Sequence, residues 1–227
     1  MTAPRRDGRA INGRHHLLLV EDDDNEITTF RRLYEGDQFE VTSVCVQSPR
    51  GALPAIEQAL DGRVPDLFVL DLFFPVRSEP SAGFTRETAA DARVDVRRLL
   101  QTTEQLETLF MDDAVLARSD KQLLRAAADL AYQAQMLVRH WCDVLGQSPS
   151  GGVALMRLLR DRYPQVRTVF YSRKATVTDV MMALENGAHD VLLKPHESVE
   201  PREAVRIRDA LGDYCEGKAP RWRRAVT

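Results

Sequence analysis

The sequence predicts an α/β protein built on a doubly wound parallel sheet of five strands. The first observation is a set of short apolar runs bounded by charged or turn residues, typical of strands buried on both faces. The second is that stretches with apolar residues at helical spacing separate these runs, so strands and helices alternate. The third is a long central stretch, residues 76–149, that keeps helical spacing and interrupts the alternation. We expect it to form an antiparallel helical hairpin inserted after the third strand.

The first three strands are predicted before residue 75. The apolar run 16–20 ends at the acidic cluster 21–24, and the third run, Leu67–Leu70, ends at Asp71. Apolar residues spaced by three and four mark the two helices between these strands. The predicted order is strand 16–20, helix from about 27 to 34, strand 39–46, helix 52–60 and strand 67–70.

The alternation resumes after the central stretch. A helix near 153–159 leads to a strand at 166–171, and a helix from about 178 ends at Gly187. A last strand at 190–193 and a closing helix near 204–214 complete the pattern. In such a sheet, ligands bind at the carboxyl ends of the strands.

The central stretch contains two heptad seams, in which apolar residues recur at alternating spacings of three and four. Each helical arm of roughly 25 residues would be about 40 Å long, so we expect the hairpin to project from the sheet. The predicted organisation is an N-terminal arm at 1–14, a sheet domain at 15–75 and 150–215, the hairpin at 76–149, and a basic tail at 216–227.

Composition excludes several classes of protein. Lys and Arg total 31 against 34 for Asp and Glu, so the net charge of −3 favours neither nucleic acid nor an anionic membrane surface. No apolar run approaches the roughly 18 residues of a membrane-spanning helix. Three widely spaced cysteines, Cys45, Cys142 and Cys215, indicate free thiols in a reducing compartment. We therefore expect a cytoplasmic protein with neither a membrane nor a nucleic-acid partner.

Chemically active side chains follow four of the predicted strands. Glu21 and Asp22 follow the first strand, Asp71 the third, Ser172 ends the fourth, and Lys194 follows the fifth. These ends converge in a doubly wound sheet. Clustered carboxylates repel one another unless a cation joins them, and oxygen ligands favour Mg²⁺. The set is suited to phosphoryl transfer onto a carboxylate nucleophile.

At this point the chain resembles the receiver domain of two-component response regulators, also called the CheY-like family. The matching stretches cover residues 15–75 and 150–215. They are LLLVEDD at 17–23, PDLFVLDLFFP at 65–75, VFYS at 169–172 and GAHDVLLKP at 187–195.

The resemblance implies a flavodoxin-like fold and a role for each matching residue. Asp71 would accept a phosphoryl group from a phosphohistidine on a histidine kinase or phosphotransfer protein. Glu21 and Asp22 would hold Mg²⁺ together with Asp71 and the backbone carbonyl of Phe73.

It also implies that Ser172 hydrogen-bonds a phosphoryl oxygen, that Lys194 pairs with the phosphoryl charge, and that the Lys194–Pro195 bond is cis. Two residues depart from the family pattern. Val191 replaces the aromatic residue that usually reports phosphorylation, and Arg173 replaces a small residue that leaves phosphodonors room. An arginine there could block access or bind phosphate itself, although a solvent-facing or salt-bridged side chain is the simpler interpretation.

The leading hypothesis is a receiver-type signalling protein whose output is carried by the inserted hairpin. The hairpin seam is most simply an intramolecular core, and its use as a homodimer interface or as a docking surface for a downstream protein stays open. One rival is a phosphorylation-independent pseudo-receiver scaffold. A second is a Mg²⁺-dependent phosphohydrolase, which lacks a carboxylate two residues after Asp71, where Phe73 stands.

Two further features receive structural interpretations. His140 lies on a predicted helix next to a seam residue, so we interpret it as structural or exposed rather than as a phosphohistidine. The basic tail contains Lys218 and three arginines, and we expect it to be a solvated end.

Overall fold

A computed structural model describes residues 13–47, 49–75, 120–144, 146–195 and 201–220. The chain divides into two compact units, one formed by Met1–Ser78 with Ser148–Thr227 and the other by Glu79–Gln147. The first unit contains the sheet. The predicted arm at 1–14 and the basic tail fall largely outside the described residues, as does the predicted first arm of the hairpin. The predicted domain boundaries stay a prediction.

Seven strands and six helices occur in the described residues. The strands are β1 (His15–Glu21), β2 (Phe39–Cys45), β3 (Leu67–Leu70), β4 (Phe74–Pro75), β5 (Gln147–Ser148), β6 (Arg167–Ser172) and β7 (Asp190–Leu193). The helices are α1 (Asp24–Tyr34), α2 (Pro49–Leu60), α3 (Asp120–Val144), α4 (Pro149–Arg162), α5 (Val177–Glu185) and α6 (Pro201–Cys215).

The five predicted strands form one parallel sheet in the order β2-β1-β3-β6-β7. This order is that of a doubly wound sheet, in which the chain first winds outward from β1 and then reverses direction across the sheet. The predicted fold class is confirmed, and each strand end lies within one residue of its predicted position.

Both faces of the sheet are covered, which explains why the strands are continuous apolar runs. Leu17 and Leu19 on one face of β1 belong to a core that includes Phe30 of α1 and Leu211 of α6. Leu18, on the opposite face of the same strand, is fully buried as well. The alternation of side chains along a strand requires this two-sided burial.

The helices around the sheet begin at recognisable caps. The Asp23 side chain accepts a hydrogen bond from the backbone N–H of Asn25 at the start of α1. Thr176 and Asp179 form a capping box that starts α5. These caps satisfy N–H groups that have no partner within the helix.

The helix α3 lies in the stretch where the second arm of the hairpin was predicted, and it contains 25 residues. The predicted first arm falls in residues 76–119, which lie outside the described part of the chain. No helix within the described ranges is long and apolar enough to cross a membrane.

One close backbone contact joins the start of α4 to the segment that carries Asp71. The backbone N–H of Gly152 donates to the carbonyl oxygen of Leu72 at 3.2 Å. A Cβ at position 152 would lie 2.5 Å from that oxygen and 2.7 Å from the carbonyl oxygen of Asp71. Glycine is therefore required here by space, since both neighbours are backbone atoms.

We expect Gly152→Ala to lower the free energy of unfolding by about 1 to 3 kcal/mol, because the added methyl group must displace backbone. Chemical denaturation monitored by circular dichroism measures the loss. Gly51→Ala is the matched control, since a Cβ at the exposed Gly51 of α2 meets no atom within 4 Å. There, the better helix propensity of alanine should stabilise the protein by up to about 1 kcal/mol. Equal effects of the two substitutions would contradict the steric explanation.

Candidate functional site

The carboxyl edge of the sheet brings the predicted site residues together. Glu21 is the last residue of β1 and Ser172 the last of β6, while Asp71 and Lys194 directly follow β3 and β7. The Asp71 N–H donates to the carbonyl of Val20 at 2.9 Å, and the Lys194 N–H donates to that of Ser172 at 3.2 Å. Each side chain that follows a strand is therefore anchored to the neighbouring strand by a main-chain hydrogen bond.

Lys194 is the cation around which the site is organised. Its Nζ atom lies 2.6 Å from Glu21 Oε2, 3.6 Å from Asp71 Oδ1 and 3.7 Å from Glu26 Oε2. Only 6% of the lysine side chain is exposed. Its Nζ atom also lies 5.7 Å from the ring centroid of Tyr171, within cation–π range. One buried ammonium is thus shared by three carboxylates.

Glu21, Asp22 and Asp71 could hold a divalent cation. One carboxylate oxygen from each lies within 4.8 Å of the others. Around Mg²⁺, ligand oxygens at 2.0–2.1 Å would be separated by about 2.9 Å when adjacent and about 4.1 Å when opposite. Small side-chain movements would therefore close the set around the ion, and the donor chemistry fits Mg²⁺.

Hydrogen bonds hold the two segments that carry these carboxylates. The Gln47 side-chain amide donates to the Asp22 carbonyl at 2.9 Å, which ties the acidic loop to the end of β2. The Phe73 N–H donates to Asp71 Oδ2 at 3.2 Å. Phe73, whose carbonyl was the fourth predicted ligand, therefore lies in direct contact with the Asp71 carboxylate.

Burial and mutual repulsion shape the protonation of the site. Burial and, secondarily, the charge of Asp71 raise the pKa of Glu21 to about 8. Burial also raises the pKa of Asp71, and Lys194 only partly offsets it. Burial lowers the pKa of Lys194, but the charges of Asp71 and Glu21 outweigh that effect, so the net shift is upward. The lysine stays charged, and a cation bound by the carboxylates would relieve their mutual repulsion.

Arg173 is a salt-bridged arginine at the same edge. Its Nη2 atom lies 3.0 Å from Oε1 of Glu26, a residue in the first turn of α1. Glu26 was missed by the sequence analysis. The available signal was its place one turn after the acidic cluster, since the first turn of a helix that follows a strand lies at the carboxyl edge of the sheet.

The expectation that the peptide bond between Lys194 and Pro195 is cis is wrong. No cis peptide occurs in the described ranges, which include both residues. The trans form of such a bond is favoured by about 0.5–1 kcal/mol, and in it Lys194 already reaches Glu21 at 2.6 Å.

The cysteines, His140 and Val191 were given structural roles or noted as departures in the sequence. The three cysteines are free thiols, as predicted. His140 lies on α3 and is half-buried. Val191, the residue that replaces an aromatic switch, is half-buried on β7.

Comparisons with known proteins give structural neighbours only. No protein-family model matches the sequence, and no curated protein matches it. The structure is similar to that of a two-component response regulator of the LuxR family from an Aurantimonas species, with 13% identity, coverage of 94% of this chain and 99% of that chain, and a TM-score of 0.46. It is also similar to a CheY-like response regulator receiver domain protein from Methanospirillum hungatei, with 10% identity, coverage of 90% and 98%, and a TM-score of 0.42.

Repulsion among the buried carboxylates predicts that Asp71→Asn stabilises the metal-free protein. The amide has the same shape but no charge, so the free energy of unfolding should rise by on the order of 1 kcal/mol in the presence of a chelator. Saturating Mg²⁺ should stabilise the unmodified protein more than the variant, because only the former offers three carboxylates.

Thermal unfolding with and without Mg²⁺ measures both effects. Asp209→Asn, at an exposed position of α6, is the control and should change little under either condition. If Asp71→Asn is instead less stable than the unmodified protein in chelator, the favourable interactions of the Asp71 charge outweigh its repulsion by the other carboxylates.

Proposed function

We propose that this protein is a receiver-type signalling protein that is phosphorylated on Asp71 with Mg²⁺ as cofactor. The phosphoryl donor would be a phosphohistidine on a histidine kinase or a phosphotransfer protein. The observation that carries the proposal is the buried Asp71 carboxylate, which lies 3.6 Å from the Lys194 ammonium and is clustered with Glu21 and Asp22 at the carboxyl edge of the sheet.

The proposed reaction moves one phosphoryl group between two side chains. An Asp71 carboxylate oxygen attacks the phosphorus, a P–O bond forms, and the P–N bond to the donor imidazole breaks. The departing imidazole nitrogen takes up a proton. Hydrolysis then removes the phosphoryl group. A water oxygen attacks the phosphorus, the P–O bond to Asp71 breaks, and inorganic phosphate is released.

The chain supplies the groups that such a transfer requires. Mg²⁺, held by Glu21, Asp22, Asp71 and the Phe73 carbonyl, would neutralise charge on the phosphoryl oxygens. Lys194 is already within 3.6 Å of Asp71 Oδ1, so its ammonium would pair with the charge that arrives. The Ser172 hydroxyl would donate a hydrogen bond to a phosphoryl oxygen at the end of β6.

The output is proposed to pass through the stretch inserted after Asp71. This stretch begins close to Asp71 in the sequence. It is followed by α4, in which the Gly152 N–H donates to the Leu72 carbonyl. A phosphorylated Asp71 could then bias a downstream partner surface, or a homodimer interface, on the inserted hairpin. We further propose a cytoplasmic location, in keeping with a kinase partner and free thiols.

Labelling with a small phosphodonor tests the proposal. Acetyl phosphate should modify the protein on one residue in the presence of Mg²⁺, and a chelator or Asp71→Ala should abolish the product. Intact-mass spectrometry detects the added phosphoryl group of about 80 Da. Asp66→Ala, at a carboxylate near the opposite edge of β3, is the control that should retain labelling.

Two rival functions give different results in the same experiment. A pseudo-receiver scaffold forms neither a phosphoryl nor a beryllofluoride adduct under any condition. A phosphohydrolase shows multiple turnover on small phosphate esters. The buried Phe73 ring, which occupies the position of a second acid–base carboxylate, favours a single slow cycle instead.

Solution scattering tests the proposed output. Beryllofluoride with Mg²⁺ should change the radius of gyration or the apparent mass, because a hairpin of about 40 Å that reorients or dimerises alters the dimensions of the particle. Asp71→Ala treated in the same way should give an unchanged curve. An unchanged curve for the unmodified protein, with the adduct confirmed by mass spectrometry, would remove the hairpin output but leave phosphorylation of Asp71 intact.

A further inference from the structure

The Glu26 carboxylate connects two cations at the edge of the site. Its Oε1 atom lies 3.0 Å from the Arg173 guanidinium, and its Oε2 atom lies 3.7 Å from the Lys194 ammonium. Glu26 is half-buried, whereas 43% of the Arg173 side chain is exposed. The pair therefore joins a solvent-facing guanidinium to the buried cluster around Asp71.

The ion pair joins segments that follow the two strands on either side of β3, the strand that ends at Asp71. Arg173 follows β6, and Glu26 stands in the first turn of α1, which follows β1. β3 lies between β1 and β6 in the sheet, and Asp71 is at its carboxyl end. The Lys194 ammonium, 3.7 Å from Glu26 Oε2, also lies 3.6 Å from Asp71 Oδ1, so the ion pair lies one side chain away from the Asp71 carboxylate.

The charges indicate that the pair acts through its position. The Glu26–Arg173 pair adds one negative and one positive charge to the cluster of Glu21, Asp71 and Lys194. The total charge of the site is therefore unchanged by the pair. An exposed ion pair of this kind also adds little to stability, which leaves its location as its most consequential property.

We propose that the Glu26–Arg173 ion pair is a gate over Asp71 that limits the entry of small phosphodonors and of hydrolytic water. This inference rests on the proposed phosphorylation of Asp71. The gate slows acetyl phosphate-dependent labelling and, because water must use the same opening, it prolongs the lifetime of the aspartyl phosphate. Both residues are positioning residues, since neither touches the transferred group.

Arg173→Ala and Glu26→Gln remove the ion pair from opposite ends. Each should raise the rate of labelling by acetyl phosphate about fivefold and the rate of phosphate loss after donor removal by a similar factor, as expected for breaking one exposed ion pair. The double variant should be no faster than either single variant, because both substitutions break the same contact. Arg173→Lys, which preserves the charge, should restore most of the slow behaviour.

The control is a similar ion pair at the other edge of the sheet. Arg162, at the end of α4, lies 2.9 Å from Glu57, and Arg162→Ala should leave both rates unchanged. Calorimetry with Mg²⁺ supplies an independent measurement. The Kd for Mg²⁺ should change less than twofold in Arg173→Ala, whereas a general loss of site structure would weaken it strongly.

The signs of the two rate changes decide between a gate and a direct phosphate ligand. If Arg173 binds the phosphoryl group itself, Glu26→Gln frees the guanidinium and prolongs the aspartyl phosphate, while Arg173→Ala shortens its lifetime. Opposite signs would therefore overturn the gate. So would labelling of the unmodified protein and of both variants at equal rates, which leaves phosphorylation of Asp71 standing. Absence of any phosphoryl adduct in all variants would reject the proposed function and the gate with it.

Discussion

The rest of the site depends on the contact between the Lys194 ammonium and the Glu21 carboxylate, at 2.6 Å, because this contact offsets the cost of burying charge. Glu21 and Asp71 are both almost completely buried, and a buried carboxylate is costly unless a cation or hydrogen bonds compensate it. Lys194 is the only lysine in contact with both among the described residues. Its long side chain spans from the end of β7 to the end of β1, and the strands between them carry the other site residues.

Lys194 compensates the charge of the buried carboxylates only in part. Burial and mutual repulsion still raise the pKa values of Glu21 and Asp71, and a divalent cation bound by the carboxylates would relieve that repulsion. The two-sided apolar core supplies the stability that the site lacks. β3 is buried along its whole length and β1 from Leu17 to Glu21, which holds the strand ends in place despite the repulsion among the carboxylates.

The segment after Asp71 and the start of α4 lie close together at this edge of the sheet. The chain leaves the five-stranded sheet after β3, at Asp71, and returns to it through α4 and β6. At the start of α4, Gly152 lies against the backbone carbonyl oxygens of Asp71 and Leu72. Any side chain larger than glycine is excluded there because the two backbone segments are in contact. The local sequence does not indicate this contact, since a glycine within a helix is otherwise only destabilising.

Much of the architecture could be predicted from the sequence, because strand burial and helical periodicity are local properties of the chain. Apolar runs such as Leu67–Leu70 identified the strands, and the polar residues that end them identified Glu21, Asp71 and Lys194. The sequence alone therefore determined the sheet and the edge at which these charged side chains meet. Only the tertiary structure decided that Glu26 bridges Lys194 and Arg173, because this contact joins residues far apart in the chain and depends on side-chain reach across β3. Such contacts follow from strand order and packing distance, which no local pattern of residues encodes.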